Sequence, residues 1–511
     1  MLICVICGHK KILLVEKFDI IIAGSGLGGL ICGYIAAKNG YKTAVFEKHS
    51  QIGGCLQTFT RKGVKFDTGM HYIGSMEEGQ IMHRFFKYLG LLDNVKLSPL
   101  NRNGFEVISL GGEIYKYANG LDNFVDVLAE KFPNNRADIQ RYVDKMKEIA
   151  DASPLYNLQN INSNIFIDTE FVTTSVNDFI ASCTDNLRLR NVFAGNLPLY
   201  AGVKDKTPVY VQALMNNFFL QSAYRIVGGS DTIAFSLAKS IEKFGGKIYK
   251  NAEVEEFVCD EKRMTKIRLK NGQEFEGQYF ISNIHPQVTI DKIHSPLLRN
   301  VYRDRIKNIE NTISSFTVFL IFKKNTVKYL DYNFYHYENE QLWELENYKP
   351  EEFPLNYLYM HQAVEEGEQY AESAQIIAYM RYDEVKKWEN TTIGKRGQDY
   401  EDFKRNRAER LINKLNEQFP NIKDCISAYY TSSPLTYRDY TATVNGSMYG
   451  ILKDKNYPIQ TRISQRTKIP NFFFTGQSIN SHGILGVTIG AITTAAEIVG
   501  KERVVDDIMR N

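Results

Sequence analysis

Residues 18–48 read FDIIIAGSGLGGLICGYIAAKNGYKTAVFEK. An apolar run ending at Ala23, a glycine turn, an amphipathic helix ending at Asn39-Gly40 and a second apolar run ending at Glu47 make one βαβ unit of about 30 residues. Gly24, Gly26 and Gly29 fit GxGxxG, with Ser25 and Gly28 inside the turn. The first glycine permits the tight turn, the second lets backbone approach a pyrophosphate, and the third lets helix and strand pack closely. The helix N-terminus then offers free N–H groups and a positive dipole end to the phosphates. Glu47 follows Gly26 by 21 residues, where a carboxylate accepts hydrogen bonds from an unphosphorylated ribose diol. Strand, turn, helix and acid in register specify a dinucleotide site; a structural glycine turn is the competing reading.

The residues after this unit choose the dinucleotide. Gly53-Gly54 comes six residues after Glu47, and Asp67-Thr68-Gly69-Met70-His71-Tyr72 makes another tight, polar turn. A nicotinamide dehydrogenase has no need of this extra backbone, whereas a flavoprotein runs it along FAD. The stretches AGSGLGGL (23–30), VFEKHSQIGGCLQTF (45–59) and FDTGMHYIG (66–74) resemble the phytoene desaturase, carotenoid isomerase and retinol saturase group of flavoproteins, within the amine-oxidase-like superfamily. The resemblance returns at 225–257, at YFISNIHPQ (279–287), at SPLTYRDYTATVNGSMYG (433–450) and at FFTGQSINSHGILGVTIGA (473–491). HYIG and the PLT...GSMYG stretch are most similar to the retinol saturase and carotenoid isomerase branch. Two departures stand out: Cys55 replaces a basic or polar side chain common in relatives, and the closing loop lacks the proline common among carotenoid desaturases.

The resemblance implies a role for each matching position. Gly24, Ser25, Gly26, Gly28 and Gly29 would hold the pyrophosphate, Glu47 with Lys48 the adenosine ribose, and Gly53 and Gly54 the ribityl chain. The Val254 backbone would meet the adenine, Met70 and His71 the flavin ring, and Gly476 with Gln477 the cofactor's centre. Gly486, Val487 and Thr488 would start a helix aimed at the flavin's N1 and O2 edge, where a helix N-terminus stabilises the negative charge of a reduced flavin. His71 is the candidate catalytic residue, either donating a proton to a substrate carbon or hydrogen-bonding the flavin. His482, Tyr72 and Tyr437 are further candidate proton sources, each with a structural role as the alternative. The implied reaction adds or removes hydrogen at a carbon–carbon double bond of a long apolar polyene, or isomerises it without net redox. The alternatives are an amine-oxidase-like flavoenzyme and a non-catalytic, prenyl-binding escort-type protein.

The rest of the chain sets the frame. With 511 residues it is long enough for two or three domains, and the spacing predicts two that interleave. The expected fold is α/β: a doubly wound, Rossmann-like FAD-binding domain from 17–75, 222–290 and 432–511, interleaved with an α+β substrate or cap domain from 76–221 and 291–431. Residues 1–16 are expected as an N-terminal extension. The 62 basic and 59 acidic residues are scattered, which argues against a nucleic-acid partner. Seven dispersed cysteines fit a reducing cytoplasm and no disulfide framework, and the Cys4/Cys7 pair near His9 lacks the further ligands a zinc site needs. No apolar run approaches the roughly 18 residues of a membrane-spanning helix, so membrane contact is expected to be peripheral at most. A single dinucleotide fingerprint argues against a docked NAD(P)H domain and leaves the electron donor or acceptor unidentified.

Overall fold

The computed structural model describes residues 15–153, 169–344 and 346–510. Cys4, Cys7, His9 and nearly all of the expected N-terminal extension lie outside the described residues; Glu16 already opens the first strand. The opening unit folds as strand Glu16–Ala23, helix Leu27–Lys38 and strand Thr43–Phe46. These strands join a parallel array in the order Lys247–Tyr249, Thr43–Phe46, Glu16–Ala23, Glu274–Ser282, Phe472–Phe474. The first half of Glu274–Ser282 also pairs antiparallel with Met264–Leu269, which pairs in turn with Val254–Cys259.

Side-chain alternation places Ile20 and Ile22 on one face of the central strand and Ile21 on the other, and all three are fully buried. The face holding Ile20 and Ile22 packs against helices; the face holding Ile21 packs against Phe257, Met264, Ile290 and Ile306. The helix Leu27–Lys38 differs from the amphipathic reading: Gly28 through Ala37 are all buried. It lies between the sheet, helix Asp231–Lys243 and helix Gly483–Val499, so no face meets water and the apolar residues run all round.

A second sheet has the order Ile426–Ser432, Ser314–Phe322, Ser373–Met380, Asn356–His361, Asn333–Tyr337, Glu106–Leu110, Glu113–Tyr117. Pairing is antiparallel except between Asn333–Tyr337 and Glu106–Leu110. The last two strands come from the 76–221 stretch expected in the cap domain. Helix Gln398–Gln418 lays Leu411, Ile412 and Leu415 on one face of this sheet. The opposite face, with Leu358, Met360, Ile377 and Tyr379, turns toward helix Val209–Gln221 across a cavity. The chain is thus an α/β dinucleotide-binding layer interleaved with an α+β layer. Among the described residues no helix is long and apolar enough to cross a membrane, and no group of three or more His, Cys, Asp or Glu is placed to hold a metal ion.

Candidate functional site

Four parallel strands end at Ala23, Phe46, Ser282 and Phe474, and the next residue of each, Gly24, Glu47, Asn283 and Thr475, lines one cavity of about 520 Å³. Ligands of open α/β sheets bind at this carboxyl edge, where strand ends leave backbone groups and helix N-termini facing one crevice. Gly24 takes φ +98°, which turns the chain sharply into the helix. A side chain at Gly29 would overlap the Gly24 carbonyl oxygen, so only glycine lets the helix start so close to the strand. A Cβ at Gly28 would lie 2.7 Å from Asn283 Oδ1, so the bare backbone keeps this part of the crevice open. Gly53 donates its N–H to the Ser25 carbonyl (3.1 Å), fixing the second glycine turn beside the first.

Ser25 and Gly29 do not line the cavity. Ser25 is buried, and its N–H and hydroxyl both donate to Glu47 Oε2 (3.0 and 2.6 Å), while the His49 N–H donates to Oε1 (2.9 Å). The carboxylate is therefore held in place at the cavity edge, with lone pairs left for a diol. Lys48 donates to the Asp439 carbonyl (3.0 Å), and burial lowers its pKa. Helix Pro434–Thr441 is thereby tied across this end of the crevice. Val254 begins its strand at the cavity wall two residues after Ala252, whose N–H donates to the Glu47 carbonyl (2.7 Å).

Gly476, Gln477, Gly486 and Val487 line the cavity's centre, but the helix there runs Gly483–Val499 and so starts three residues before Gly486. The cause is Gly483, whose φ of +72° swings the chain directly from the loop into the first turn. The free N–H groups of that first turn therefore precede Gly486, and Thr488 faces the interior, fully buried. Asn480 Nδ2 and His482 Nε2 are buried at the cavity wall without a hydrogen-bond partner among the described residues. Such orphaned groups suit a polar ring edge, and with the glycine cradle and Glu47 they show that these residues fit a flavin dinucleotide.

Beyond the centre the cavity turns apolar. Helix Val209–Gln221 contributes Leu214, Met215 and Phe219, and the second sheet contributes Leu358, Ile377 and Tyr379. Met70 and His71 enter at the junction between this region and the glycine cradle. Burial and the nearby Arg225 guanidinium push the His71 pKa down to about 4, so its imidazole is neutral near pH 7. His482 is likewise lowered to about 4, first by burial and then by Lys453. Tyr437 lines the wall, and Cys55 does too, with its thiol raised to about 11 by burial.

Tyr72 connects the cavity to a buried polar group that sequence reasoning missed. Its hydroxyl donates to Glu106 Oε1 (2.5 Å), as does that of Tyr335 (3.4 Å), while Asn196 Nδ2 donates to Oε2 (3.3 Å). Glu106 is fully buried, and its carboxyl meets the neutral donors Tyr72, Tyr335 and Asn196. Burial pushes its pKa up to about 7 despite those hydrogen bonds. Asn283 was missed as well, although its place at the end of an apolar run in YFISNIHPQ is a readable signal.

The sequence model for flavin containing amine oxidoreductases matches residues 27–499. The chain is 27% identical to all-trans-retinol 13,14-reductase of Homo sapiens, over 95% of this chain and 86% of that one. It is 22% identical to prolycopene isomerase 2, chloroplastic, of an Oncidium hybrid cultivar, over 94% of this chain and 84% of that one. An oxidoreductase from Methanosarcina mazei has a similar structure, with TM-score 0.62 at 15% identity, covering 94% of this chain and 99% of that one.

Proposed function

The chain belongs to the flavin-containing amine oxidoreductase family, and from that membership we propose that it adds hydrogen to, or removes it from, carbon–carbon double bonds of a long apolar polyene, in the manner of a retinol reductase. Its cofactor is FAD, which when bound supplies hydride chemistry at the flavin N5. The observation that carries the reading is the continuity of the glycine-and-Glu47 cradle with an apolar cavity walled by Leu214, Phe219 and Ile377. Similarity to a retinol reductase and to a prolycopene isomerase supports a polyene rather than a polar substrate.

The chain's own part is to bind, orient and dry the site. Glu47 would orient the adenosine ribose, Gly24, Gly26 and Gly28 would leave room for the pyrophosphate, and Gly53 and Gly54 would follow the ribityl chain. Gly476, Gln477 and the first turn of helix Gly483–Val499 would hold the flavin's centre and its N1 edge. Because His71 is neutral near pH 7, it acts as a hydrogen-bond partner of the flavin or substrate; a neutral imidazole is too weak an acid to protonate carbon unaided. Residues 17–75, 222–290 and 432–511 serve the cofactor, and 76–221 with 291–431 serve the substrate.

The test is to purify the protein, photoreduce its flavin anaerobically, and add all-trans-retinol or a carotenoid while following flavin reoxidation and product mass. Reoxidation with a gain of two hydrogens in the product supports reduction. A rearranged polyene of unchanged mass would assign isomerisation. Peroxide released with amines, beside an inert polyene, would overturn the reading in favour of amine oxidation.

A further inference from the structure

Adding hydrogen across a carbon–carbon double bond takes a hydride and a proton. The histidines His71, His285 and His482 in the cavity wall are poor sources of the proton, because burial leaves all three neutral near pH 7. The tyrosines of the wall differ in what stands behind them. Tyr449 donates to the Pro198 carbonyl (3.0 Å) and Tyr379 to the Leu197 carbonyl (3.4 Å), and a carbonyl has no proton to return. Tyr72 instead meets a carboxyl group, Glu106 Oε1, at 2.5 Å. Its ring lies 4.4 Å from that of Phe219, centroid to centroid, which places it in the apolar part of the cavity. It also follows His71 in sequence, at the junction with the glycine cradle.

Glu106 does not itself line the cavity, so Tyr72 is its link to whatever the cavity holds. The ionisable side chains around the carboxyl are phenols: Tyr72 and Tyr335 by hydrogen bond, Tyr117 and Tyr337 through its field. Asn196, itself bonded to Asn216 Oδ1 (2.6 Å), fixes the other carboxyl oxygen. In these surroundings burial disfavours the carboxylate, and Glu106 keeps its proton up to about 7. Burial also raises the Tyr72 phenol well above its ordinary pKa, so alone it is a weak acid. Joined to a protonated carboxyl it need not end as phenolate: the short contact then runs from Glu106 to Tyr72, and the charge left by a proton transfer comes to rest on Glu106.

We propose that Tyr72 hands the proton to the substrate carbon and that Glu106, a positioning residue behind it, resupplies that proton. The proposal rests on the polyene reading. The new C–H bond takes its electron pair from the double bond and its proton from the Tyr72 hydroxyl, which is remade as the Glu106 O–H breaks. The neighbouring carbon takes a hydride, which a reduced two-electron carrier supplies. After product leaves, a proton from water returns to Glu106 by the same path.

Single-turnover reduction of all-trans-retinol by the photoreduced, FAD-loaded protein, followed across pH, tests this. The wild-type rate should hold below about pH 7 and fall as pH rises through it, because the protonated carboxyl is the competent form. Tyr72→Phe and Glu106→Gln should each be slower by about 100-fold or more, and Glu106→Gln should lose the fall near neutrality. Retinol affinity, read by fluorescence quenching on the oxidised holoenzyme, should be unchanged in both. Infrared difference spectra between about pH 6 and about pH 8, which need no turnover, should show a carboxyl band in wild type that Glu106→Gln lacks. An active wild type matched in rate by Tyr72→Phe, a Glu106→Gln profile parallel to wild type, retinol affinity lost along with rate, or no such band in wild type would each overturn the proposal alone. A wild type inert toward retinol would overturn it together with the polyene reading.

Discussion

Glu47 is the residue whose loss should most cleanly report on the cofactor. Its carboxylate is fixed by Ser25 and His49 and keeps acceptor capacity toward the cavity. Glu47→Ala removes charged hydrogen bonds worth about 1.5–3 kcal/mol, so FAD affinity should fall roughly 10- to 100-fold, read by fluorescence titration of the apoprotein. Unchanged affinity would mean that the ribose lies elsewhere. Glu106 should report on pH. In the fold its carboxyl stays protonated up to about 7, against an ordinary value of 4.5 when the chain unfolds. Below the unfolded value both states are protonated and nothing is lost; as pH rises toward 7 the unfolded chain gains by ionising, and the fold loses about 3 kcal/mol. Glu106→Gln should therefore gain stability relative to wild type between about pH 4 and about pH 8, measured by denaturant midpoints. Parallel profiles would show that Glu106 is ionised in the fold. The two acids differ in legibility for a physical reason. Glu47 is marked by its distance from a glycine turn, whereas the burial of Glu106 depends on Tyr335 and Asn196, far away in sequence.

At the scale of elements, the close approach of the first strand and first helix is the sensitive contact. Gly29→Ala forces a methyl group into the Gly24 carbonyl, and overpacking of this kind costs typically about 1–3 kcal/mol. The purified variant should lose bound flavin and melt earlier; a yellow, equally stable variant would show that the helix can shift without harm. In the cavity wall, Phe219→Ala should lower kcat/KM for retinol while leaving the flavin spectrum intact, since Phe219 lies in the apolar part away from the glycine cradle. The opening βαβ unit was readable because its glycines and apolar runs are local. The all-round burial of its helix was not, because the covering helix Gly483–Val499 comes from the other end of the chain. The hairpin Glu106–Tyr117 was missed because its strands are five residues each and the flanking segments carry a helical period.

For the whole molecule, one cavity draws on residues far apart in sequence, from Gly24 to Val487. Free FAD at about 100 times its Kd should stabilise the folded protein by about 2.7 kcal/mol, seen as a rise of the thermal midpoint that grows with FAD concentration. No dependence on FAD concentration would mean that the cradle does not bind FAD.

The same arrangement sets a timetable for synthesis. Helix Leu27–Lys38 leaves the ribosome well before its covering partner Gly483–Val499 and the strand Phe472–Phe474. At roughly 5–20 residues per second the nascent chain waits tens of seconds with that helix uncovered. The pocket is therefore completed only once Gly483–Val499 has emerged, and a chain cut short before that helix would carry the glycine fingerprint with no pocket to use it.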